Sequence, residues 1–373
     1  MKFIKKIIKK IAKPFLYKKV SGISVCTFRN DIKKRIFSKS EEFIMPQLND
    51  IFGNSYDEFN SYKAKVPDYY VLEIDKGKCV VGREEVYTKD DKVVSEITSQ
   101  KNNPVIGTSV KRFRKIVSID GSVANISLSG LENNYYHFLV EFSARLFMLK
   151  ELNINPDYYI YPMNTAFQKD FLSYFNIDTG KLISLDEGTW IQAEKMIAPA
   201  LINNWNYVQY RGVVHFKKQF LPSWISDIYK AFRANTPGNK RIYISRKLAK
   251  FRKIINEDSI IDFLKQKNFE IHYLENYTVK QQIELFNKCS VLVAPHGAGL
   301  INMCYSAPGI KILELFPKYY HDNGIMLQSV MLKNNYNYLI CETTNIAVHP
   351  QQEDIEIDIK TFTEAVELLI NTN

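Results

Sequence analysis

The sequence predicts an α/β protein whose second half forms an open parallel sheet. From about Arg241 onward, short apolar segments alternate with amphipathic ones. In addition, 46% of the 373 residues are hydrophobic, which is enough to bury a large core and to build two domains. Strands that alternate with helices at this spacing pair in parallel through right-handed crossovers. A Rossmann-like second half is therefore expected.

The elements of this half follow from local patterns. Thr278 and Gln281 have the spacing of a capping box, which predicts a helix over 278–290. Asn256 is expected to cap the preceding helix, over 256–268. The other expected elements are strands at 241–246, 269–274, 291–296, 311–316 and 336–342, a short helix at 297–307, a helix around 325–333 and a closing helix at 357–373.

The first half is less regular. Strands are expected at 69–74, 78–82 and 121–130, and an apolar helix at 133–152. Asn, Pro, Gly and Lys crowd together in 233–240, which predicts a linker. The expected divisions are a basic N-terminal segment, an N-terminal domain, a C-terminal domain and a closing helix, over residues 1–20, 21–235, 236–345 and 346–373.

A basic amphipathic segment opens the sequence. Residues 1–13 place apolar residues on one helical face and lysines on the other, which suits an anionic membrane surface. Docking on the protein's own body or on a partner would use the same face. The segment is too short and too charged to span a bilayer. Residues 1–20 hold eight of the lysines behind the net charge of +10, so a basic nucleic-acid-binding face is not expected.

Five cysteines are scattered through the sequence without C-x-x-C pairs: Cys26, Cys79, Cys289, Cys304 and Cys341. This spacing favours neither a disulfide framework nor a zinc site. Buried thiols in a reducing compartment are the expectation. With the basic segment, this favours a cytoplasmic protein that is peripheral on the inner face of the cell membrane.

Cations follow the first strand of the second half. Ligands of open α/β sheets bind beyond the carboxyl ends of the strands, and Ser245, Arg246 and Arg252 lie at or after such an end. Arginine offers a forked donor to phosphate oxygens. A diphosphate site is therefore one interpretation, and a solvated basic loop is the other.

A histidine and two glycines follow the third strand. His296 ends "VLVAPH", and Gly297 and Gly299 open the next helix. A helix start exposes unpaired N–H groups, and glycine lets an anion approach the backbone closely. The pattern is neither a P-loop nor the G-x-G-x-x-G fingerprint. The histidine could bind phosphate, or it could be a structural residue of the core.

Glu314 lies in the apolar run "KILELFP" of the next strand. An unpaired carboxylate would be costly there, so a partner is expected. A ribose diol would serve, because a carboxylate accepts two hydroxyl hydrogen bonds, and a salt bridge to Arg or Lys would serve equally.

His137, Glu141 and Arg145 recur every four residues in the apolar helix of the first half. This spacing puts them on one helical face. They could form an internal salt-bridge ladder. Alternatively, His137 or Glu141 could take a proton from an acceptor hydroxyl as a general base.

Three segments together resemble glycosyltransferase family 61, the group that includes bacterial capsular polysaccharide biosynthesis proteins. They are "NYYHFLVEFSARL", "YISRKLAKFRKIINE" and "VLVAPHGAGLINMCYSAPGIKILELFP", at residues 134–146, 243–257 and 291–317. Phe138 departs from the tryptophan that relatives often have after the histidine. The resemblance implies a GT-B fold, with two Rossmann-like domains facing a central cleft.

The resemblance also implies a chemistry. It implies an inverting glycosyltransferase without a metal or other cofactor, which uses a nucleotide-diphosphate sugar, preferably UDP-linked, and a glycan or lipid-linked glycan acceptor. Residues 21–235 would form the acceptor-side domain and residues 236–345 the nucleotide-sugar-binding domain. His137 or Glu141 would be the catalytic base, and His296 would come second for that role. The donor-binding residues would be Ser245, Arg246, Arg252, His296, Gly297, Ala298, Gly299, Leu300 and Glu314, and the supporting residues Asn134, Arg145, Asn256 and Glu257. The main alternative is a noncatalytic nucleotide-binding or scaffold protein of a polysaccharide assembly complex.

The N-terminal segment gives the first testable prediction. Deletion of residues 1–13 should reduce cosedimentation with anionic liposomes, because it removes the apolar face and its lysines together. Liposomes of neutral lipid are the control and should retain little of either protein. Unchanged sedimentation with anionic liposomes would exclude this segment as the membrane contact.

Overall fold

The computed structural model describes residues 17–19, 22–23, 29–97, 109–111, 115–202, 207–210, 213–216, 219–344 and 349–371. The predicted N-terminal helix and Cys26 lie outside these residues. Contacts divide the chain into two compact units, the first formed by Met1–Ser40 and Pro67–Asn204 and the second by Glu41–Val66 and Trp205–Asn373.

The strands, in chain order, are β1 (Tyr17–Lys19), β2 (Gly22–Ile23), β3 (Ile32–Ser38), β4 (Glu41–Met45), β5 (Tyr62–Val66), β6 (Tyr69–Asp75), β7 (Lys78–Val80), β8 (Val86–Tyr87), β9 (Val93–Val94), β10 (Ser109–Lys111), β11 (Ile116–Asn125), β12 (Tyr158–Ile160), β13 (Trp190–Pro199), β14 (Tyr207–Tyr210), β15 (Val213–Phe216), β16 (Lys240–Ile244), β17 (Phe269–His272), β18 (Cys289–Pro295), β19 (Lys311–Pro317), β20 (Tyr320–His321), β21 (Asn335–Thr343) and β22 (Ile355–Glu356).

The α-helices are α1 (Tyr135–His137), α2 (Ser143–Glu151), α3 (Ala166–Tyr174), α4 (Glu257–Gln266), α5 (Val279–Phe286), α6 (Gly324–Met331) and α7 (Ile359–Asn371). A π-helical turn, Phe138–Phe142, joins α1 to α2. The 3-10 helices include Asp57–Phe59 and Ala298–Tyr305. None of the helices in the described ranges is long and apolar enough to cross a membrane.

The first unit contains a mixed sheet. β11 pairs in parallel with β12 on one side and with β13 on the other, and the helices between these strands make the crossovers. β13 then pairs antiparallel with β6 and β7, and β6 with β3. Only part of this sheet therefore has the parallel pairing expected of a Rossmann-like half.

Two elements of this unit differ from their predicted bounds. The strand expected at 121–130 ends at Asn125, because the Asn125 side chain accepts a hydrogen bond from the backbone N–H of Ser127 at 3.2 Å and turns the chain. The helix expected over 133–152 is interrupted by the π-helical turn, where the Ser143 hydroxyl donates to the carbonyl of Phe138. Such single π turns are frequent at functional sites.

The second unit contains the predicted parallel sheet. Its strand order is β17-β16-β18-β19-β21, all paired in parallel, with β22 antiparallel at the edge of β21. The α/β class is thereby confirmed. The closing helix α7 buries Phe362, Ala365, Val366 and Leu369 in the core of this sheet, together with residues of α4.

Two capping predictions have different outcomes. Thr278 and Gln281 form the predicted capping box at the start of α5. Asn256 precedes α4, but its side chain does not cap the helix; instead its amide exchanges two hydrogen bonds with the backbone of Ile357, at 2.7 and 3.1 Å. Asn256 therefore ties α4 to the segment before α7. The short helix after β18 is 3-10 rather than α.

A segment from early in the chain folds with the second unit. β4 and β5 form an antiparallel hairpin within Glu41–Val66. In this hairpin's connection, Phe59 packs on Tyr338 and Phe316, with ring centroids 4.6 and 5.8 Å apart. The backbone N–H of Ile51 donates to the carbonyl of Tyr338 at 3.0 Å. Residues 41–66 thus cover part of the face of β19 and β21.

Candidate functional site

The predicted donor-binding residues gather at one edge of the second unit's sheet. β16, β18 and β19 are parallel neighbours, so their carboxyl ends lie side by side. Ser245 and Arg246 follow β16, and His296 follows β18. Glu314 lies within β19, two residues before Phe316 on the same face. This edge is where open α/β sheets bind ligands.

Two arginines at this edge have no carboxylate partner among the residues that the structure describes. Arg246 donates to the carbonyl of Phe251 at 3.2 and 2.8 Å, and Arg252 donates to the carbonyls of His296 and Gln351 at 3.0 and 2.5 Å. Neither guanidinium forms an ion pair within the described part of the chain. Desolvation and then the charge of Arg252 lower the pKa of Arg246 to about 10, and desolvation also lowers the pKa of Arg252. Two positive charges held close together in this way favour an anion between or beside them.

Arg252 also has an unusual backbone. Its φ is 58°, in the left-handed region that few non-glycine residues adopt. Its guanidinium lies over the ring of Tyr320, 5.9 Å from the centroid. Backbone strain of this kind is often found at ligand-binding positions. The carbonyls of His296 and Gln351 and the ring of Tyr320 therefore hold the Arg252 side chain in place. The backbone of Arg252 keeps a conformation that costs free energy.

Gly297 leaves the space that Arg246 occupies. A Cβ atom added at Gly297 would lie 2.1 Å from Nη1 of Arg246, so the guanidinium rests directly against the glycine backbone. The 3-10 helix Ala298–Tyr305 begins at the next residue, and the first N–H groups of a helix have no partner inside it. Leu300 is buried and its N–H donates to the carbonyl of Gly297 at 3.1 Å. Ala298 and Gly299, the next two residues, are half-buried.

His296 and Glu314 form a buried pair. Nδ1 of His296 lies 2.5 Å from Oε1 of Glu314, and the hydroxyl of Tyr336 donates to Oε2 at 2.5 Å. Glu314 is fully buried, and the imidazole stacks on Phe316 with centroids 5.1 Å apart. The buried carboxyl group of Glu314 therefore has two hydrogen-bond partners, His296 and Tyr336. Both carboxyl oxygens of Glu314 already have hydrogen-bond partners. A contact between Glu314 and a ribose stays a prediction, and this geometry does not favour it.

Burial shifts both members of this pair toward their neutral forms. Desolvation raises the pKa of Glu314 well above its usual value. Desolvation, followed by the charges of Arg252 and Arg246, lowers the pKa of His296 well below its usual value. Both directions disfavour an imidazolium–carboxylate ion pair.

A second histidine–glutamate pair adjoins the first. Nδ1 of His321 lies 2.5 Å from Oε1 of Glu58, which the 3-10 helix Asp57–Phe59 supplies. The His321 ring contacts Phe316, and the His296 ring stacks on the same phenyl ring. The sequence reasoning missed Glu58, His321 and Tyr336. Glu58 is distant in sequence, and nothing in its local pattern indicates a site.

In the first unit, His137 at the end of α1 forms a pair with Glu141 of the π-helical turn. Nδ1 of His137 lies 2.5 Å from Oε1 of Glu141. The histidine side chain is 18% exposed and the glutamate side chain 6%, so the imidazole is the member that reaches solvent. Asn134 precedes α1 and caps it, because its side chain accepts a hydrogen bond from the N–H of Tyr136.

Arg145 is fully buried and takes no part in a salt-bridge ladder. Its guanidinium donates to the carbonyls of Asn125, Ser127 and Pro199 at 2.7 to 3.1 Å. Asn125 and Pro199 are the last residues of β11 and β13. Burial lowers the pKa of Arg145 to about 10, and nearby carboxylates oppose this shift. Arg145 therefore ties the helix that carries His137 and Glu141 to two strand ends.

The remaining predicted residues have structural contacts. Ser245 is buried, and its hydroxyl accepts a hydrogen bond from the N–H of Lys247 at 3.1 Å, which shapes the turn after β16. Glu257 is buried in α4 and accepts the hydroxyl of Tyr243 at 2.8 Å. Cys79, Cys289, Cys304 and Cys341 are buried free thiols. Across the described residues, no group of three or more His, Cys, Asp or Glu side chains could hold a metal ion.

Comparison with known proteins identifies a family model that matches part of the chain. Residues 135–313 match the family model Glycosyltransferase 61. The chain contains a family 61 glycosyltransferase domain. The match begins at α1 and ends one residue before Glu314, so it includes His137, Arg246 and His296 but neither Glu58 nor His321. None of the curated proteins compared with the chain matches it.

The contacts of Arg145 predict a cost for its removal. Arg145→Met in the family 61 domain should lower the free energy of unfolding by about 3 kcal/mol, because three buried carbonyls lose their donor. Urea unfolding followed by circular dichroism measures this loss. Arg145→Lys is the matched control and should lose less, because one ammonium keeps the charge and part of the bonding. Equal stability of Arg145→Met and the wild type would show that these bonds contribute little.

Proposed function

We propose that this protein is an inverting, metal-independent glycosyltransferase that uses a nucleotide-diphosphate sugar, with UDP-sugars favoured. The family 61 match supports sugar transfer. The acceptor is the hydroxyl of a glycan or lipid-linked glycan in the biosynthesis of a bacterial surface polysaccharide, capsule or lipopolysaccharide. A GT-B arrangement of the two units, a cytoplasmic location and attachment to the inner face of the membrane through residues 1–13 belong to the same proposal.

The pair of arginines without carboxylate partners is the observation that carries the donor site. Arg246 and Arg252 follow one strand end, and the helix start at Gly297 follows the neighbouring one. A leaving diphosphate develops negative charge as the bond to the sugar breaks, and fixed donors stabilise that charge most where water is excluded. These two guanidinium groups and the backbone N–H groups of Ala298 and Gly299 supply such donors.

The base of the reaction is assigned to the pair in the first unit. Glu141 engages Nδ1 of His137, which orients the ring so that its other nitrogen, Nε2, would receive the proton of the acceptor hydroxyl. The oxygen of the acceptor then attacks the anomeric carbon as the diphosphate leaves, which inverts the configuration in a single displacement. His296 is the less suitable base, because it is almost fully buried and adjoins two cations.

A donor panel tests this function. The purified full-length chain is incubated with UDP-, GDP-, dTDP- and CMP-linked sugars, with and without glycan acceptors, and released nucleotide is measured. Steady release from one UDP-sugar, retained in the presence of EDTA, is expected. Binding of the nucleotide without turnover under any acceptor would favour the noncatalytic alternative, and binding of neither nucleotide nor sugar would reject the donor site.

Substitutions in the two units should affect different steps. His137→Ala and Glu141→Ala should lower kcat by about 100-fold or more and change the Kd for UDP little, because a general base acts only in the transition state. Arg246→Ala should weaken UDP binding by about tenfold or more, because a charged hydrogen bond is lost. Gly297→Ala should have a similar effect, since its Cβ would displace the Arg246 guanidinium.

Kinetics and calorimetry on the same preparations separate these effects. Gly180→Ala, in the first unit, is the control for glycine replacement. A Cβ atom at Gly180 would make only ordinary van der Waals contacts with Asp178. Wild-type kcat in both His137→Ala and Glu141→Ala would show that the base is elsewhere. Unchanged UDP affinity in both Arg246→Ala and Gly297→Ala would show that the diphosphate binds elsewhere.

A further inference from the structure

We propose that Glu314 is a protonated carboxylic acid which, anchored by Tyr336, holds His296 as a neutral ring with its proton on Nε2. His296 then donates a hydrogen bond to an oxygen of the donor's diphosphate and does not act as a base. This inference rests on the proposed donor site, and it assigns Glu314 and Tyr336, neither of which contacts the ligand, as the residues that position the imidazole.

The hydrogen-bond pattern around Glu314 matches a carboxylic acid. An un-ionised carboxyl group has one O–H donor and one carbonyl acceptor. Oε2 accepts the hydroxyl of Tyr336 and is the carbonyl oxygen of the proposed acid. Oε1 lies 2.5 Å from Nδ1 of His296, where the hydroxyl of the proposed acid would donate to that nitrogen. With Nδ1 accepting this proton, the ring's own proton resides on Nε2.

The surroundings disfavour the charged alternative. A carboxylate at Glu314 would be fully buried, and among the described residues its only ion-pair contact is His296 itself. The other titratable groups that act on the pair are Asp322, His321 and the two arginines. Desolvation is the largest effect on each group, and it raises the pKa of Glu314 and lowers that of His296. Asp322 also opposes a negative charge on Glu314 whereas Arg252 favours one, and the two arginines oppose a positive charge on His296.

The ring is held so that Nε2 is the nitrogen available to a ligand. Phe316 stacks on one face of the imidazole, and Tyr320 contacts it edge to face at 5.5 Å. The backbone carbonyl of His296 accepts Arg252, which keeps a cation beside the same residue. Nε2 makes no hydrogen bond to any residue in the described ranges. A neutral Nε2–H group beside two arginines can donate a hydrogen bond to an anionic oxygen. The same nitrogen has no available lone pair, so it cannot accept a proton.

The replacement of Glu314 by glutamine separates the two protonation states. The amide of Glu314→Gln can donate from its nitrogen to Nδ1 and accept Tyr336 at its oxygen, as the acid does. UDP affinity within about threefold of wild type is therefore expected. Glu314→Leu removes both bonds and should weaken UDP binding by about tenfold or more. A loss in Glu314→Gln as large as in Glu314→Leu would overturn the inference, because it would show that an ionised carboxylate is needed.

Nitrogen NMR of histidine-labelled protein provides a readout that does not depend on binding or turnover. The chain has six histidines, and the difference from a His296→Gln sample identifies the resonances of His296. A protonated Nε2 and an unprotonated Nδ1 at pH 7 are expected. Protonation at Nδ1 alone, or at both nitrogens, would overturn the inference even if UDP binds. Absence of UDP binding together with the expected tautomer would instead reject the proposed donor site.

Discussion

The hydrogen bond between His296 and Glu314 is the interaction on which the second unit's candidate site depends. It joins the end of β18 to the middle of β19 across a parallel pair of strands, and it buries a carboxyl group completely. Arg252 binds the carbonyl of the same histidine, and Gly297, the next residue, receives the guanidinium of Arg246. The two arginines and the helix start therefore lie beside the residue that this buried contact joins to β19.

The fold of this unit was largely readable from the sequence, because its pattern is local. Alternating apolar strands and amphipathic helices predicted the parallel pairing, and Thr278 with Gln281 predicted a cap that the structure contains. The first unit was less readable, because antiparallel strands such as β3 and β6 leave no comparable signature. The attachment of residues 41–66 to the second unit also has no local signal, since it depends on contacts between Phe59 and side chains far along the chain.

The candidate site was readable only in part, for a related reason. Strand ends are marked in the sequence, so Arg246, His296 and Glu314 could be found. Pairing partners are not marked. Tyr336 contacts Glu314 from a strand that holds two tyrosines, and Glu58 contacts His321 from 263 residues earlier in the chain. The four-residue spacing of His137 and Glu141 predicted their contact. Arg145 has the same spacing, but its guanidinium donates to backbone carbonyls instead of pairing with Glu141.

We propose that the diphosphate of a nucleotide-sugar donor binds at the sheet edge lined by Arg246, Arg252 and the helix start after Gly297. A crystal of the full chain soaked with UDP tests it most directly. We expect density for the diphosphate within hydrogen-bond distance of both guanidinium groups and of the backbone N–H groups of Ala298 and Gly299. Well-ordered UDP bound elsewhere, or a site that stays empty at saturating UDP with both arginines still held by their carbonyls, would contradict it.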